Sequence, residues 1–321
     1  RAGVLAAPRS RHGPAPAELA AGLTIFVGGF DLTAAHDVCG ASPLDLQQLV
    51  ARSMLSWLPA GRLEMHELIR QHAAARLGRT RRDELIAVHS NHFLARLIDG
   101  LETFVGSDPA ALITSLDADF DNIVAAWNTA IVTGDEASRA AMAGARQTLA
   151  EFAIATGRDV EVAELFDRAS PLGTDLFTAA MYAGHIRVSW HRDPPERITE
   201  LYEQAAALLP GSTPEEAECR VHLVNDYCRL HTENTGEREL ALELVDRTRP
   251  DADLLEGVHG DRRHHAILDM TVARLAISSG DFDAALDYYD RAIDVFEQVG
   301  DAMRASDCVA MVAAAHAEQY Q

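Results

Sequence analysis

The fold is decided by Gly280-Asp281-Phe282-Asp283-Ala284-Ala285-Leu286-Asp287-Tyr288-Tyr289-Asp290-Arg291-Ala292-Ile293. Gly280 opens this stretch, and glycine tolerates the backbone angles that a tight turn between two helices requires. Phe282, Tyr289 and Ala292 recur at helical spacing, so they fall on one face of the helix that follows. The small Ala285 on that face lets a neighbouring helix approach closely. The stretch therefore predicts the second helix of a close-packed helical hairpin.

The same stretch is close to the tetratricopeptide pattern, in which helical hairpins stack into a solenoid. Three weaker copies share its frame: Gly157, Asp159, Val162, Phe166 and Ala169; Ile198, Tyr202 and Ala205; and Gly236, Arg238, Ala241, Val245 and Thr248. The last positions of the four copies lie 36, 43 and 44 residues apart. The standard repeat has about 34 residues, so longer helices or loops are expected, as in repeats of the maltose-regulator type. Each weak copy alone is compatible with a chance helical hairpin, but the shared frame favours a tetratricopeptide-like solenoid over 141–321.

Upstream of the repeats, the chain begins with several short elements. Ala17 to Phe26 is an apolar helical stretch, and a turn follows at Gly28. Asp31 or Thr33 can cap the next helix, and Ser42 can cap the one after it. Three short helices are therefore expected before the first predicted strand.

A small β-hairpin is predicted next. Pro43 and Asp45 support the third helix, because proline suits the first helical position and an acid suits the third. Two strand-like runs, Met54 to Leu58 and Arg62 to Met65, then flank a Pro-Ala-Gly turn. Short helices followed by a small hairpin are the plan of a winged helix, which predicts such a domain over 17–78.

His66 follows the hairpin at the start of an amphipathic helix, which Gly78 is expected to end. Glu67 suits the first turn, because acids interact favourably with the free amides and positive dipole end of a helix. A histidine there can face an anion alongside backbone N–H groups. The simpler alternative is a histidine that bonds only to the backbone of its own helix start.

Several motifs of this region resemble the winged-helix domain of the STAND family of signalling NTPases. The matching residues are Leu23, Phe26, Gly28, Gly29 and Phe30, then Ser53 to Leu55, and then Met65-His66-Glu67-Leu68-Ile69-Arg70-Gln71-His72-Ala73. In that family the last motif begins Met-His-Asp, and its histidine touches the phosphates of bound ADP. The resemblance implies that His66 is a cofactor-binding residue, a possible ADP phosphate contact in a longer parent protein. Glu67 replaces the family aspartate, and its longer side chain changes the local capping geometry.

Residues 79–140 are expected to form a helical linker. Asp83 to Phe104 has apolar residues at helical spacing, and Pro109 starts a helix that is expected to run unbroken to Gly134. Its segment Leu116-x-x-x-Phe120-Asp121-Asn122-Ile123-x-x-Ala126-Trp127 resembles the one after the winged helix in large LuxR-type and AfsR-type bacterial regulators. In those proteins the segment leads into tetratricopeptide-like repeats, which agrees with the order of elements here.

The predicted fold class is mainly α, with a winged-helix domain carrying a small β-hairpin and then an α-solenoid of tetratricopeptide-like helical hairpins. Residues 1–16 are rich in Pro, Arg and Ala and are expected to be a linker or disordered. A last helix from Met303 to Tyr320 is expected to be half of a further repeat or a cap. Because the sequence starts with Arg, we expect it to be a segment of a longer protein.

The charge of the chain is divided unevenly along its length. The net charge is −21, yet residues 1–82 carry ten Arg against six acids and residues 83–321 carry eighteen Arg against forty-three acids. Phosphate contacts require a basic face, so nucleic acid is an unlikely partner for most of the chain. The inner face of the solenoid, which is the usual binding surface of such arrays, is expected to be strongly acidic.

Catalytic and metal-binding patterns are not found in the sequence. There is no P-loop, and no lysine is present to serve one, so no catalytic residue and no ATP hydrolysis are expected of this chain. His89 and His92 lie one helical turn apart, but an ordinary amphipathic helix is favoured over a metal pair. Arg262 to His265 forms a small basic cluster, which predicts a solvated loop or helix start, or a contact for an acidic partner. No metal site is expected.

The environment of the protein is also indicated by composition. The four cysteines form no CxxC pair, which predicts reduced thiols in a cytoplasmic protein. No apolar run approaches the roughly 20 residues that a membrane-spanning helix needs, so no membrane partner is expected.

These features predict the sensor and regulatory segment of a STAND-type signalling protein, a bacterial transcriptional regulator. The repeats are expected to bind a small inducer or a protein partner. The winged helix is expected to gate the nucleotide state of an upstream nucleotide-binding domain, with ADP or ATP as the cofactor of the full-length parent and none in this chain. The main alternative is a nucleotide-independent adaptor scaffold, and a third hypothesis is a winged helix that binds DNA.

Overall fold

The computed structural model describes residues 16–106, 109–211, 213–232 and 237–319. The chain divides into two compact units. The first unit comprises Arg1–Ala95 and Leu116–Thr129, and the second comprises Arg96–Ser115 and Ala130–Gln321. The residues of the expected linker over 79–140 are therefore shared between the two units. The expectation of a disordered start falls on residues outside the described part, apart from Pro16, which begins the first helix.

The first unit is built from short helices and one hairpin. Its elements are α1 (Pro16–Leu23), α2 (Leu32–Cys39), α3 (Pro43–Ala51), β1 (Ser56–Leu58), β2 (Arg62–Glu64) and α4 (Glu67–Ala74). Three longer helices each have residues in both units: α5 (Arg79–Val105), α6 (Pro109–Ala118) and α7 (Phe120–Thr133). Helix α1 ends three residues before Phe26, and α4 ends at Ala74, four residues before the glycine that was expected to stop it.

The starts of α2 and α3 follow the capping residues in the sequence. The side chain of Asp31 accepts a hydrogen bond from the Ala34 amide at 2.7 Å. Ser42 and Asp45 form a reciprocal capping box, in which each side chain bonds to the backbone amide of the other. Both helices thus begin where local hydrogen bonds satisfy amides that have no partner within the helix.

The two strands form an antiparallel pair closed by a turn of 3₁₀ helix. Ser56 lies opposite Glu64, and Leu58 lies opposite Arg62. A further isolated bridge joins Phe30 to Leu63, whose side chains are both buried in the core of this unit. The hairpin is therefore fixed to the helical part of the unit by backbone hydrogen bonds as well as by apolar packing.

Aromatic side chains form the centre of the first unit. The rings of Phe26 and Phe30 stack with their centroids 4.5 Å apart. Phe93, on α5, meets Phe26 edge to face at 6.3 Å. Aromatic pairs in these two arrangements stabilise a core beyond the area that they bury.

The helix expected from Pro109 to Gly134 is broken at Asp119. Helix α6 ends at Ala118, and α7 begins at Phe120. The Asp119 carboxylate is buried and pairs with the guanidinium of Arg62 at 2.6 Å. The apolar spacing of the segment is continuous across this position, so it could not reveal a break at a residue that pairs with the distant hairpin.

The second unit is an array of helical hairpins. Its helices are α8 (Glu136–Thr156), α9 (Asp159–Ala169), α10 (Asp175–Ser189), α11 (Pro195–Ala207), α12 (Pro214–Leu230), α13 (Arg238–His259), α14 (Arg263–Ser278), α15 (Phe282–Gln298) and α16 (Ala302–Gln319). Helix α10 packs on both α8 and α12, and α12 packs on α14. Helices α9, α11, α13 and α15 each pack against their neighbours in the chain. We call α8, α10, α12, α14 and α16 the first helices of the hairpins.

The repeat frame of the sequence describes the core of this array. Its four copies fall on α9, α11, α13 and α15, the second helices of successive hairpins. The last frame positions, Ala169, Ala205, Thr248 and Ala292, are all buried. Gly280 has φ = 76°, in the left-handed region that favours glycine. The prediction of a mainly α chain with stacked helical hairpins is confirmed. Gly236, which opens one weak copy, lies outside the described residues.

No helix in the described part of the chain is long and apolar enough to cross a bilayer.

Candidate functional site

His66 lies at the N-cap of α4, where the sequence places it. Its ring is exposed, and Nδ1 accepts a hydrogen bond from the Leu68 amide at 3.3 Å. Glu67 beside it is bound by Arg70, whose Nε donates to the carboxylate at 2.8 Å. Hydrogen bonds from Arg70 and Gln71 lower the pKa of Glu67, so this acid is ionised at neutral pH. The histidine is thus bonded to its own helix start, and its role towards a nucleotide stays a prediction.

An open depression of about 320 Å³ adjoins His66 within the first unit. Its lining combines apolar side chains of the core with charged groups of the hairpin and α4: Leu23, Phe26, Gly28, Phe30, Glu64, Met65, His66, Glu67 and Arg70. Two carboxylates and one guanidinium make this lining slightly acidic. An anion there would therefore be bound by Arg70 and by donors of His66, against the field of the acids.

The first helices of the hairpins contribute a second candidate site, in the second unit. Each contributes a half-buried arginine to one group of neighbouring cations: Arg146 on α8, Arg187 on α10, Arg229 on α12, Arg274 on α14 and Arg304 on α16. We call this set the arginine cluster. Four of these cations lie beside the acids Glu151, Asp226 and Asp307 in one cavity lining. The expectation of a strongly acidic inner face stays a prediction.

Part of the arginine cluster is paired with buried acids. The guanidinium of Arg187 donates to both carboxylate oxygens of Glu151 at 2.9 Å. The buried Asp226 lies 3.7 Å from Arg187 and 3.9 Å from Arg229, so one carboxylate is shared by two cations. Arg304 pairs with Asp301 at 2.5 Å.

The remaining arginines are not fully compensated. The buried Nε atoms of Arg146, Arg229 and Arg274 have no hydrogen-bond partner among the described residues. Burial and the neighbouring Arg274 and Arg187 lower the pKa of Arg229 to about 9, and burial also lowers the pKa of Arg274. Arginine does not lose its proton in a protein, so these shifts express mainly the cost of burying a charged guanidinium, to which the neighbouring arginines add at Arg229.

Two adjacent cavities give access to this cluster. The narrower one is about 30 Å³, enough for about two water-sized groups, and Arg146, Arg187, Arg229 and Arg304 are in its lining. The wider one is about 630 Å³ and shares Gln147, His222 and Arg304 with the first. A volume of this size is typical of small-molecule sites.

The chemistry of these cavities is that of anion recognition. A guanidinium presents a planar fork of donors that matches the two oxygens of a carboxylate or a phosphate. An acidic group could enter the narrow cavity while the body of the ligand occupies the wide one. The structure thus brings together side chains from separate hairpins that the sequence did not single out.

A signal for this cluster was present in the sequence. Arg146, Arg187, Arg229 and Arg274 follow one another at spacings of 41, 42 and 45 residues, close to the longer spacings of the repeat frame. Equivalent positions of successive repeats face the same side of a solenoid. An arginine that recurs with the repeat therefore predicts a basic stripe, even within an acidic chain.

The other residues considered as ligands have structural partners. His89 is buried and its Nε2 bonds to Asn122 at 3.2 Å, and burial lowers the pKa of His89 to about 4. His92 lies 3.3 Å from the carboxylate of Asp37. The two histidines are thus directed to different partners, as expected of an ordinary helix face.

The basic cluster Arg262 to His265 is the start of α14, which begins at Arg263. His265 lies 3.2 Å from Glu256 and 3.4 Å from Asp253. His264 is buried, contrary to the expectation that the whole cluster is solvated. Burial lowers the pKa of His264 to about 4 and holds that of His222 well below its usual value, so both rings are neutral at physiological pH.

Comparison with known proteins yields one distant structural likeness. No protein-family model matches the chain, and no curated protein matches it significantly. A matching solved structure is that of a Signal Transduction ATPase with Numerous Domains (STAND) protein with a tetratricopeptide repeat sensor from Pyrococcus horikoshii, at 12% sequence identity and a TM-score of 0.41. The match covers 94% of this chain and 53% of that one, so the chain spans about half the length of that protein. At this level the likeness assigns neither a family nor an activity.

Proposed function

We propose that this chain is the sensor and regulatory segment of a STAND-type signalling protein, and that its helical array binds a small organic anion. The observation that supports the sensor role is the arginine cluster, in which the buried Nε donors of Arg146, Arg229 and Arg274 have no hydrogen-bond partner among the described residues. Burying unpaired polar groups costs free energy. An anionic ligand would supply the missing acceptors and remove this cost when it binds.

The ligand class follows from the lining of the cavities. The narrow cavity admits a single acidic group, because it holds only about two water-sized groups. The wide cavity next to it accommodates a body of metabolite size and is lined by both polar and apolar side chains. A carboxylate or phosphate ester of a small metabolite meets both conditions, and this is the inducer that we propose.

The regulatory role is supported by the motifs of the first unit. Short helices, a β-hairpin and the Met65-His66-Glu67 motif occur in the order of a STAND winged helix. We propose that ligand binding on the helical array changes how this unit holds ADP in a nucleotide-binding domain of a longer parent. Exchange for ATP would then release that domain for assembly, with transcription as the output.

The anion-binding proposal is tested by thermal unfolding of the chain in phosphate and in citrate, with sodium chloride at equal ionic strength as the reference. We expect both anions to raise the unfolding temperature beyond the effect of chloride, because a ligand that binds only the folded state stabilises it. The variant Arg229→Gln should lose this response. Arg291→Gln is the matched control, because Arg291 lies on α15 over the Tyr288 ring and outside the cluster. An equal response of both variants would refute the proposal.

The nucleotide proposal requires the full-length parent. We expect His66→Ala to weaken ADP binding by about tenfold, since one charge-assisted hydrogen bond to a phosphate is worth roughly 1.5 kcal/mol. His72→Ala, on the same helix but one and a half turns further on, should leave ADP binding unchanged. Unchanged ADP affinity and basal activity in His66→Ala would exclude a phosphate-contact role.

A further inference from the structure

Two histidines and a glutamate of the second unit converge on one point. Among the described residues, the ligand atoms of Glu218, His222 and His264 all lie within 4.8 Å of one another. Glu218 and His222 are four residues apart on α12, so their side chains lie on one face of the helix, one turn apart. His264 is in the first turn of α14, which packs on α12.

The set has the chemistry of a transition-metal site. Imidazole nitrogen and carboxylate oxygen bind zinc and similar divalent ions at roughly 2.0–2.2 Å, so ligand atoms around one ion stand about 3–3.5 Å apart. Small rotations of the three side chains would bring their ligand atoms to this separation. Two histidines and one carboxylate leave at least one coordination position open, as in catalytic and ligand-binding metal sites.

An unsatisfied group independently marks the same place. His264 is 6% exposed, and its buried Nδ1 has no hydrogen-bond partner among the described residues. A third imidazole, that of His259, lies close by, with its ring centroid 5.9 Å from that of His264. A buried imidazole with an unused nitrogen beside two other ligands has the arrangement expected of a metal ligand.

The wide cavity supplies carboxylates and access from solvent, while Arg304 and Arg146 lie near enough to His222 to lower its pKa. The three residues are in the lining of the wide cavity, which also contains the carboxylates of Glu102 and Asp261. With Glu218 these acids outnumber Arg263 and Arg304, the two guanidiniums of that lining. Glu218 is exposed and His222 half-buried, so an ion could enter from solvent.

We propose that Glu218, His222 and His264 bind a divalent transition-metal ion of the zinc class at the wall of the wide cavity. The three residues share the lining of this cavity with Arg304, a member of the arginine cluster. A ligand with an acidic group and a second oxygen or nitrogen donor could therefore bind the ion and the guanidinium together. Metal binding by the chain does not depend on the proposed function.

The test is calorimetric titration of Zn²⁺ into the whole chain, with Co²⁺ and its visible absorption as a second probe. We expect one ion per chain and an affinity at least tenfold weaker in Glu218→Gln and in His264→Gln. Glu215→Gln, one turn before Glu218 and outside the cluster, and His265→Gln, beside the buried histidine, are the matched controls and should bind as the unmodified chain does. Glu218 is exposed, so its variant tests binding even where a buried histidine variant fails to fold.

Two results would overturn the metal site. One is the absence of stoichiometric Zn²⁺ binding, and the other is equal binding by Glu218→Gln and Glu215→Gln. The same variants separate this inference from the anion proposal, because Glu218→Gln should still be stabilised by phosphate through the arginine cluster. A Glu218→Gln chain that loses zinc and keeps the phosphate response supports two distinct functions of the wide cavity wall.

Discussion

Half-buried arginines occur in both units, but their environments differ. In the first unit, Arg62 donates to the Asp119 carboxylate at 2.6 Å and to the Gly29 carbonyl at 2.8 Å. Asn122 completes this network, since it donates to the same carbonyl and accepts from the Val27 amide. In the arginine cluster of the second unit, by contrast, several donors have no acceptor among the described residues.

This difference distinguishes a structural network from a binding site. A buried polar network whose members are all satisfied rigidifies a core and specifies one arrangement of it. A cluster with unused donors of one charge sign loses stability in the free protein and recovers it when a complementary ligand binds. The two arginine sites of one chain therefore predict opposite effects of mutation.

The largest effect is expected when the satisfied network is broken. Arg62→Ala leaves Asp119 buried without its cation, which we expect to lower the free energy of unfolding by about 3–5 kcal/mol. Urea denaturation followed by tryptophan fluorescence measures this loss, with Arg52→Ala, on the exposed surface of the same unit, as the control. A loss below about 1 kcal/mol would show that the ion pair does not support the break between α6 and α7.

A slightly smaller loss of stability is expected when acid protonates His89, which bonds to Asn122 of the same network. His89 has a pKa of about 4 when folded and an ordinary value of 6.5, so the unfolded chain takes up its proton first as the pH falls. The contribution of neutral His89 is complete above pH 6.5, and up to about 3 kcal/mol is lost as the pH falls towards 4. The contribution of His89 is measured by comparing the urea midpoints of the unmodified chain and of His89→Gln at several pH values. Identical pH profiles would contradict it.

An intermediate loss of stability is expected where an arginine of the second unit is paired with a buried acid. Glu151→Gln removes the carboxylate that Arg187 binds through both oxygens, and we expect a loss of about 2 kcal/mol. The same change increases the excess of positive charge, so stabilisation by phosphate should become larger than in the unmodified chain. Thermal unfolding with and without phosphate measures both quantities, and a smaller phosphate effect would argue against an anion site.

The smallest effect is expected at the arginines of the second unit whose donors have no hydrogen-bond partner among the described residues. There the substitution should raise the free energy of unfolding, whereas the preceding ones lower it. Arg229→Gln relieves repulsion from Arg187 and Arg274, so without phosphate we expect the chain to gain up to about 1 kcal/mol. The measurement is urea denaturation in chloride, compared with Arg291→Gln. A marked loss of stability in Arg229→Gln would place this arginine among the structural ones.

The buried faces and the starts of helices could be predicted from the sequence. The positions of Ala285, Tyr289 and Ala292 indicated a buried face, and all three are buried. Local capping signals likewise located the starts of α2 and α3 at Asp31 and Ser42. Such features depend on neighbours within one or two turns, so the local sequence contains the information that determines them.

The residues that form the candidate sites could not be predicted from local sequence. Asp119, at the break between α6 and α7, pairs with an arginine 57 positions earlier, and the proposed metal ligand His264 lies 42 positions after His222. The arginine cluster was not predicted, because the average charge of a segment does not tell which side of a helix carries its charged residues.

The sequence by itself determined that this protein is an array of helical hairpins preceded by a small helical unit with a β-hairpin. It could do so because a helix, its caps and its buried face are set by spacings of three to four residues. Only the tertiary structure decided which arginines, acids and histidines meet in the two cavities. The physical reason is that stacking of hairpins brings together side chains some forty residues apart, and the packing of the first helices sets which of their partly exposed residues share a cavity.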